Sequence, residues 1–149
     1  MYISDLVRRS AVAARPDQTL LEAAAIMDNA GVGALVIVDS DRPVGIVTDR
    51  DLVRRGMARG LPLDARVDTV MSTPIITVNA DDDAHKVYEV LRNHALRRLP
   101  ILSEGRFVGM ITVDDLIIHL AADLADLARP VTGEVLFAQR DSRPPARVD

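Results

Sequence analysis

The sequence contains no cysteine and no tryptophan, and Phe and Tyr bring its aromatic share to only 3%. Without cysteine there is no disulfide framework and no thiol chemistry, so a cytoplasmic address is the default expectation. So few rings leave little material for the stacking platforms that bind single-stranded nucleic acid. No apolar run approaches the roughly 20 residues that a membrane span requires. Met1 to Ser10 carries Asp5, Arg8 and Arg9 within a short apolar pattern and lacks the core of a secretory signal. The net charge of −4, from 18 basic and 22 acidic residues, argues against a broadly basic nucleic-acid surface. What is present is a core-forming composition: 149 residues, 48% hydrophobic, 27% charged, with a mean hydropathy of +0.12.

The chain also repeats itself. Gly45-Ile-Val-Thr-Asp-Arg-Asp-Leu52 returns as Gly109-Met-Ile-Thr-Val-Asp-Asp-Leu116, an offset of 64 residues (45 to 109). At the same offset and without a gap, Asp17 falls on Asp81, Asn29 on Asn93, Leu35 on Leu99, Ile37 on Ile101 and Arg42 on Arg106. Apolar positions match as well, Met27 with Leu91 and Val53 with Ile117. Chance rarely holds register that long, so the chain reads as two copies of one unit, 4–58 and 68–122. Residues 59–67 form a linker punctuated by Gly60 and Pro62, and 123–149 a helix extension and C-terminal tail.

Each copy has the order β-α-β-β-α. A short strand (Ala11–Ala14; Ile75–Val78) leads to an N-cap at Thr19 or Asp83, and Thr19 with Glu22 has the spacing of a capping box. Leu20, Ala23, Ala24, Met27 and Ala30 then recur at helical spacing up to Gly31. A dense apolar strand follows (Ala34–Val38; Leu99–Leu102), then a turn, then a third strand (Val44–Val47; Phe107–Ile111) that runs into a second helix. The expected class is α/β, with the two units packed about a pseudo-two-fold axis. After the second copy a helix continues from Leu116 to Ala128; beyond Arg129-Pro130 the signal weakens, and Arg140–Arg147 reads as a solvated tail.

Little in the chain could perform catalysis. His85, His94 and His119 stand in no triad or metal-ligand spacing, and Asp81-Asp82-Asp83 reads as an acidic helix start. There is no Gly-rich phosphate loop. The repeated G-x-x-T-x-x-D, Gly45/Thr48/Asp51 and Gly109/Thr112/Asp115, has the form of a capping box. A capping box does not account for the glycine, which at a strand end lets something approach the backbone closely. A helix start with free N–H groups suits a phosphate, and a carboxylate one turn in can accept hydrogen bonds from a ribose diol.

In these features the sequence resembles a tandem pair of cystathionine-β-synthase (CBS) domains, a Bateman module. The resemblance rests on Ser4-Asp-Leu-Val7 and its partner Asp68-Thr-Val-Met71, on both G-x-x-T-x-x-D motifs, and on Leu96-Arg-Arg-Leu-Pro-Ile101. It implies a regulatory module that binds an adenine nucleotide (AMP, ADP or ATP) or S-adenosylmethionine in clefts between the repeats, usually as a dimer. Carried over by position, Thr48 and Asp51 would hold ribose or phosphate in one cleft, and Thr112 and Asp115 in the other. Ile75 and Ile76 would wall the base of the first cleft, Ala11 and Val12 that of the second. Arg97 and Arg98 match the basic residues that meet phosphates, and Arg50 lies inside the first motif. The first cleft, with Thr48, Arg50, Asp51, Arg97 and Arg98, is therefore expected to take the more highly charged nucleotide.

The expectation is a free-standing, non-catalytic cytoplasmic sensor, homodimeric, controlling an unknown partner protein without metal, nucleic acid or membrane. The alternative is a constitutive dimerising scaffold with degenerate ligand sites.

Overall fold

The computed structural model describes residues 2–6 and 11–141, with side chains as far as Val131. It divides into two units, one ending at Thr112 and the other beginning at Val113.

The first unit contains both three-stranded sheets. In the first, β1 (Ala13–Ala14) runs parallel to β2 (Ala34–Asp39), which is antiparallel to β3 (Arg42–Thr48). Between β1 and β2 lies α1 (Leu20–Ala30). Thr19 and Glu22 cap it reciprocally, the hydroxyl accepting from the Glu22 N–H at 3.1 Å and the carboxylate from the Thr19 N–H at 2.9 Å. Gly31 ends it in the left-handed region, φ 65°. After β3 comes a short helix α2 (Asp49–Asp51), which opens into a π-helical stretch, Leu52–Gly56, and a 3₁₀ turn, Met57–Arg59. The second sheet repeats the first with β4 (Val78–Asn79), β5 (Arg98–Ser103) and β6 (Arg106–Thr112), and α3 (Ala84–His94) sits between β4 and β5. Even the irregularity is copied: the β2–β3 register shifts at Ile37/Val38 and the β5–β6 register at Ile101/Leu102.

The leading strands are shorter than their sequences predict. Ala11 and Val12 precede β1, and Ile75 to Thr77 precede β4, outside the strands, because each parallel pairing holds only two rungs (Ala13↔Val36, Ala14↔Ile37; Val78↔Ile101, Asn79↔Leu102).

The two copies exchange their lead-in segments. The 3₁₀ turn Val67–Thr69, ahead of the second copy, lies on the first: Val67 N–H donates to Gln18 O at 2.7 Å and Asp68 N–H to Pro16 O at 3.4 Å. Val67 and Val70 join the core of Leu20, Ala23, Met27, Leu35, Ile37 and Val47. The corresponding turn Ile3–Asp5, ahead of the first copy, lies on the second: Ile3 N–H donates to Asp82 O at 3.1 Å and Ser4 N–H to Ala80 O at 3.2 Å. Every donor and acceptor in one set is displaced by 64 residues from its counterpart in the other, and Ile3 and Val67 are both fully buried.

Asp82 is held in the second copy by the Asn79 N–H and by Lys86 Nζ, each at 2.8 Å. The ammonium of Lys86 lowers its carboxyl below the ordinary value.

The second unit is formed by α4 (Val113–Asp141) among the described residues. The predicted end near Ala128 is corrected: the helix passes through Pro130, whose missing N–H removes one bond from a 29-residue ladder without ending it. Arg140 and Asp141 close the helix, and the rest of the expected tail lies outside the described residues.

Truncating Ile3→Ala is expected to cost about 2–5 kcal/mol in urea denaturation, with the unfolding transition remaining single because both copies depend on the exchange. Lys86→Ala should cost only a few tenths of a kcal/mol at neutral pH, since Lys86 is exposed. Asp82 binds its proton more weakly folded than unfolded, so its contribution is present above the ordinary carboxylate pKa and is lost as pH falls through the folded value. The difference between wild type and Lys86→Ala in pH-dependent melting should therefore vanish in acid.

Candidate functional site

The first motif lies where β3 turns into α2. Thr48 is the N-cap: its Oγ1 accepts from the Asp51 N–H at 3.1 Å, and Asp51 Oδ2 accepts from the Thr48 N–H at 2.9 Å. Thr48 keeps a hydroxyl hydrogen to donate. The second carboxylate oxygen of Asp51 faces Arg55 Nε at 3.8 Å, beyond hydrogen-bond length, and so retains acceptor capacity. Asp51 is itself largely shielded, its side chain only 19% exposed. Asp49 donates its N–H to Gly33 O at 3.0 Å, tying the helix start to the entrance of β2. Arg50 is exposed beside it.

Arg55, which the motif spacing does not single out, fastens this turn to the second copy's lead-in. Its Nη1 donates to Val70 O at 3.2 Å, Met71 O at 3.3 Å and Ser72 Oγ at 3.1 Å. Ile46 and Ser72 meanwhile exchange backbone hydrogen bonds, 3.2 Å one way and 2.8 Å the other. The group that needs the glycine is therefore the chain itself. A Cβ built on Gly45 would stand 2.5 Å from Met71 Sδ and 3.1 Å from Ser72 O, so Met71 and Ser72, not open ligand space, cover this position.

Other expected site residues are distributed as follows. Ile75 and Ile76 follow Ser72 and are half-buried, as is Val12, which packs on the first core, whereas Ala11 is exposed. In the β5–β6 ladder Arg98 stands opposite Thr112, and in the β2–β3 ladder Ala34 stands opposite Thr48. Antiparallel pairing thus brings the entrance of each copy's middle strand to its own motif. Arg97 is exposed and Arg98 half-buried. Asp115 belongs to the second unit, in the first turn of α4.

A cavity of about 570 Å³ lies at the other end of the first sheet, lined by Arg15, Asp17, Asp39, Asp41 and Arg66 among others. Arg15 and Arg66 are both paired there, with Asp17 at 3.3 Å and Asp68 at 2.8 Å, and the Asp68 hydrogen bond raises the Arg66 pKa. The hairpin tip beside it holds Ser40 and Asp41 at φ 50° and 67°, conformations that cost a non-glycine residue energy. No Asn-Gly or Asp-Gly pair marks this turn in the sequence. Among the described residues, no group of three or more His, Asp or Glu side chains converges to hold a metal ion. Nor, among them, is any helix long and apolar enough to cross a membrane.

Two similar half-structures, each ending its third strand in a G-x-x-T-x-x-D turn, define a tandem paired-domain fold. Comparison with known proteins agrees: the sequence model of the CBS domain matches residues 3–58 and 67–122, and the chain belongs to the CBS domain family as a tandem pair. Hypoxic response protein 1 of Mycobacterium tuberculosis is 36% identical over 118 residues, covering 78% of this chain and 82% of that protein. The uncharacterized protein MK0525 of Methanopyrus kandleri is 33% identical over 118 residues, 77% of this chain but only 60% of the relative's length. Among solved structures, the CBS domain protein PAE2072 from Pyrobaculum aerophilum complexed with AMP superimposes with a TM-score of 0.71. It is 29% identical and covers 82% of this chain and 99% of that one.

Gly45→Ala should destabilise the protein by about 1–3 kcal/mol in thermal or urea unfolding, because the backbone of Ser72 must move along with Met71. Gly31→Ala is a useful contrast: its Cβ meets nothing within 4 Å and its cost arises from the positive φ alone.

Proposed function

We propose that this CBS pair is a non-catalytic sensor that binds an adenosyl ligand, with AMP the first candidate, and acts as a homodimer on a partner protein. The observation that carries the reading is the Thr48–Asp51 turn. Its cap consumes one carboxylate oxygen and leaves the other, with the Thr48 hydroxyl, to meet a ribose diol or phosphate. The AMP complex of PAE2072 supports the choice of ligand. In this reading Ile75 and Ile76 offer aliphatic surface to the base, and Arg50 meets phosphate at the first motif. Arg98, with Arg97 beside it, does so at Thr112 in the second. ADP, ATP and S-adenosylmethionine are the competing ligands. A ligand that binds one arrangement of the module better than another shifts the population, and with it the affinity for a partner.

The covering of Gly45 by Met71 and Ser72 favours a second reading, a constitutive scaffold whose ligand site is filled by its own chain. Titration calorimetry and thermal shift with AMP, ATP and S-adenosylmethionine separate the two. The sensor reading expects AMP to raise the melting temperature by mass action. Asp51→Asn keeps an oxygen for the Thr48 cap but removes the charge, and should weaken AMP by roughly 10-fold or more. Unchanged AMP affinity in that variant overturns the assignment of Asp51, and a panel in which no nucleotide shifts the wild type leaves the scaffold.

A further inference from the structure

Helix α4, which runs on past residue 122 where the family match ends, carries a pattern that nucleotide sensing does not use. Along α4, Ile117, Leu120, Leu124, Leu127 and Val131 follow one another at spacings of three, four, three and four residues, and are 57%, 45%, 69%, 72% and 62% exposed. Leu116, one residue before the series, is buried and lies off this stripe. Apolar residues repeating every 3.5 positions form the a/d seam of a coiled coil. Here Ile117, Leu124 and Val131 fall at a, and Leu120 and Leu127 at d.

We propose that α4 pairs in parallel with the α4 of a second copy of this chain along this seam; the proposal rests on the homodimer reading and names its surface. In a parallel coiled coil, β-branched residues at a with Leu at d favour two strands, and two of the three a positions are Ile or Val. The flanks agree. Asp123, at g, would face Ala128 of the second copy in a parallel pair, so no like charges meet across the seam there. Exposed Ala121 and Ala128, at e, let the helices approach closely. At about 100 Å² per side chain the five residues present roughly 500 Å² of apolar surface. That is most of the ~800 Å² per partner of a standard interface, with the alanines and flanking stems adding to it.

Sedimentation velocity on the full chain tests the seam. Wild type should be dimeric, and Leu124→Glu/Leu127→Glu should weaken self-association by roughly 100-fold or more, while the far-UV circular dichroism spectrum at 25 °C stays that of the folded wild type. A double variant that remains dimeric overturns the seam and leaves the homodimer reading standing. A monomeric wild type overturns both. Because the chain has no cysteine, Leu120→Cys supplies an independent measurement in a folded dimer. A parallel seam places the two sulfurs together, and oxidation should yield a covalent dimer on a non-reducing gel. Failure to cross-link overturns parallel pairing.

Discussion

The exchange of lead-in segments is the constraint on which the first unit depends. The loop after β1 presents two carbonyls, Pro16 and Gln18 in one copy and Ala80 and Asp82 in the other, that accept hydrogen bonds from the other copy's leading turn. Buried backbone groups must find partners, and apolar side chains must leave water; the exchange satisfies both requirements at once. Val67 and Val70 complete a core whose other fully buried members all come from the first copy. The same strand of chain then runs on to Met71 and Ser72, where Arg55 and Ile46 hold it against the Thr48 turn. Fold and site are thus secured by one continuous segment, 67–72, and anything that loosens it loosens both.

Much of this was legible in the residues. The gapless offset of 64 announced two equal units, the caps at Thr19, Thr48 and Asp83 stood where their side chains do cap, and the middle strands declared themselves by their apolar density. The missed features all depend on which distant segment lies alongside. Gly45 signalled a close approach, but only the tertiary arrangement shows that Ser72 approaches. β1 pairs with only two residues of the longer β2, and where that pairing stops is something β-propensity does not encode. That Thr112 is Arg98's partner across the ladder is likewise a property of strand register.

The copies diverge at their last helices, and the cause is local. In the first copy Gly56 is buried with its Cα 's missing Cβ directed at Leu20, 3.2 Å from Cδ1, and Gly60 turns the chain into the connection at φ 71°. At the offset of 64 those positions hold Leu120 and Leu124, which have no such turning power and good helix propensity. One helix is consequently cut short through a π-helical stretch that meets α1 at Leu20, while the other runs on for 29 residues. A π segment is a register irregularity found often at functional positions, and here it carries Arg55.

The exchanged turns also say what the connection between the copies is for. A lone repeat would have a leading turn with no loop of its own to receive it, and two lone repeats could satisfy one another only by meeting in solution, at whatever concentration the cell supplied. Joining them by residues 59–66 makes that meeting intramolecular, at the millimolar effective concentration of a short tether. The dilution that would dissolve a pair of separate repeats therefore has no hold on this one.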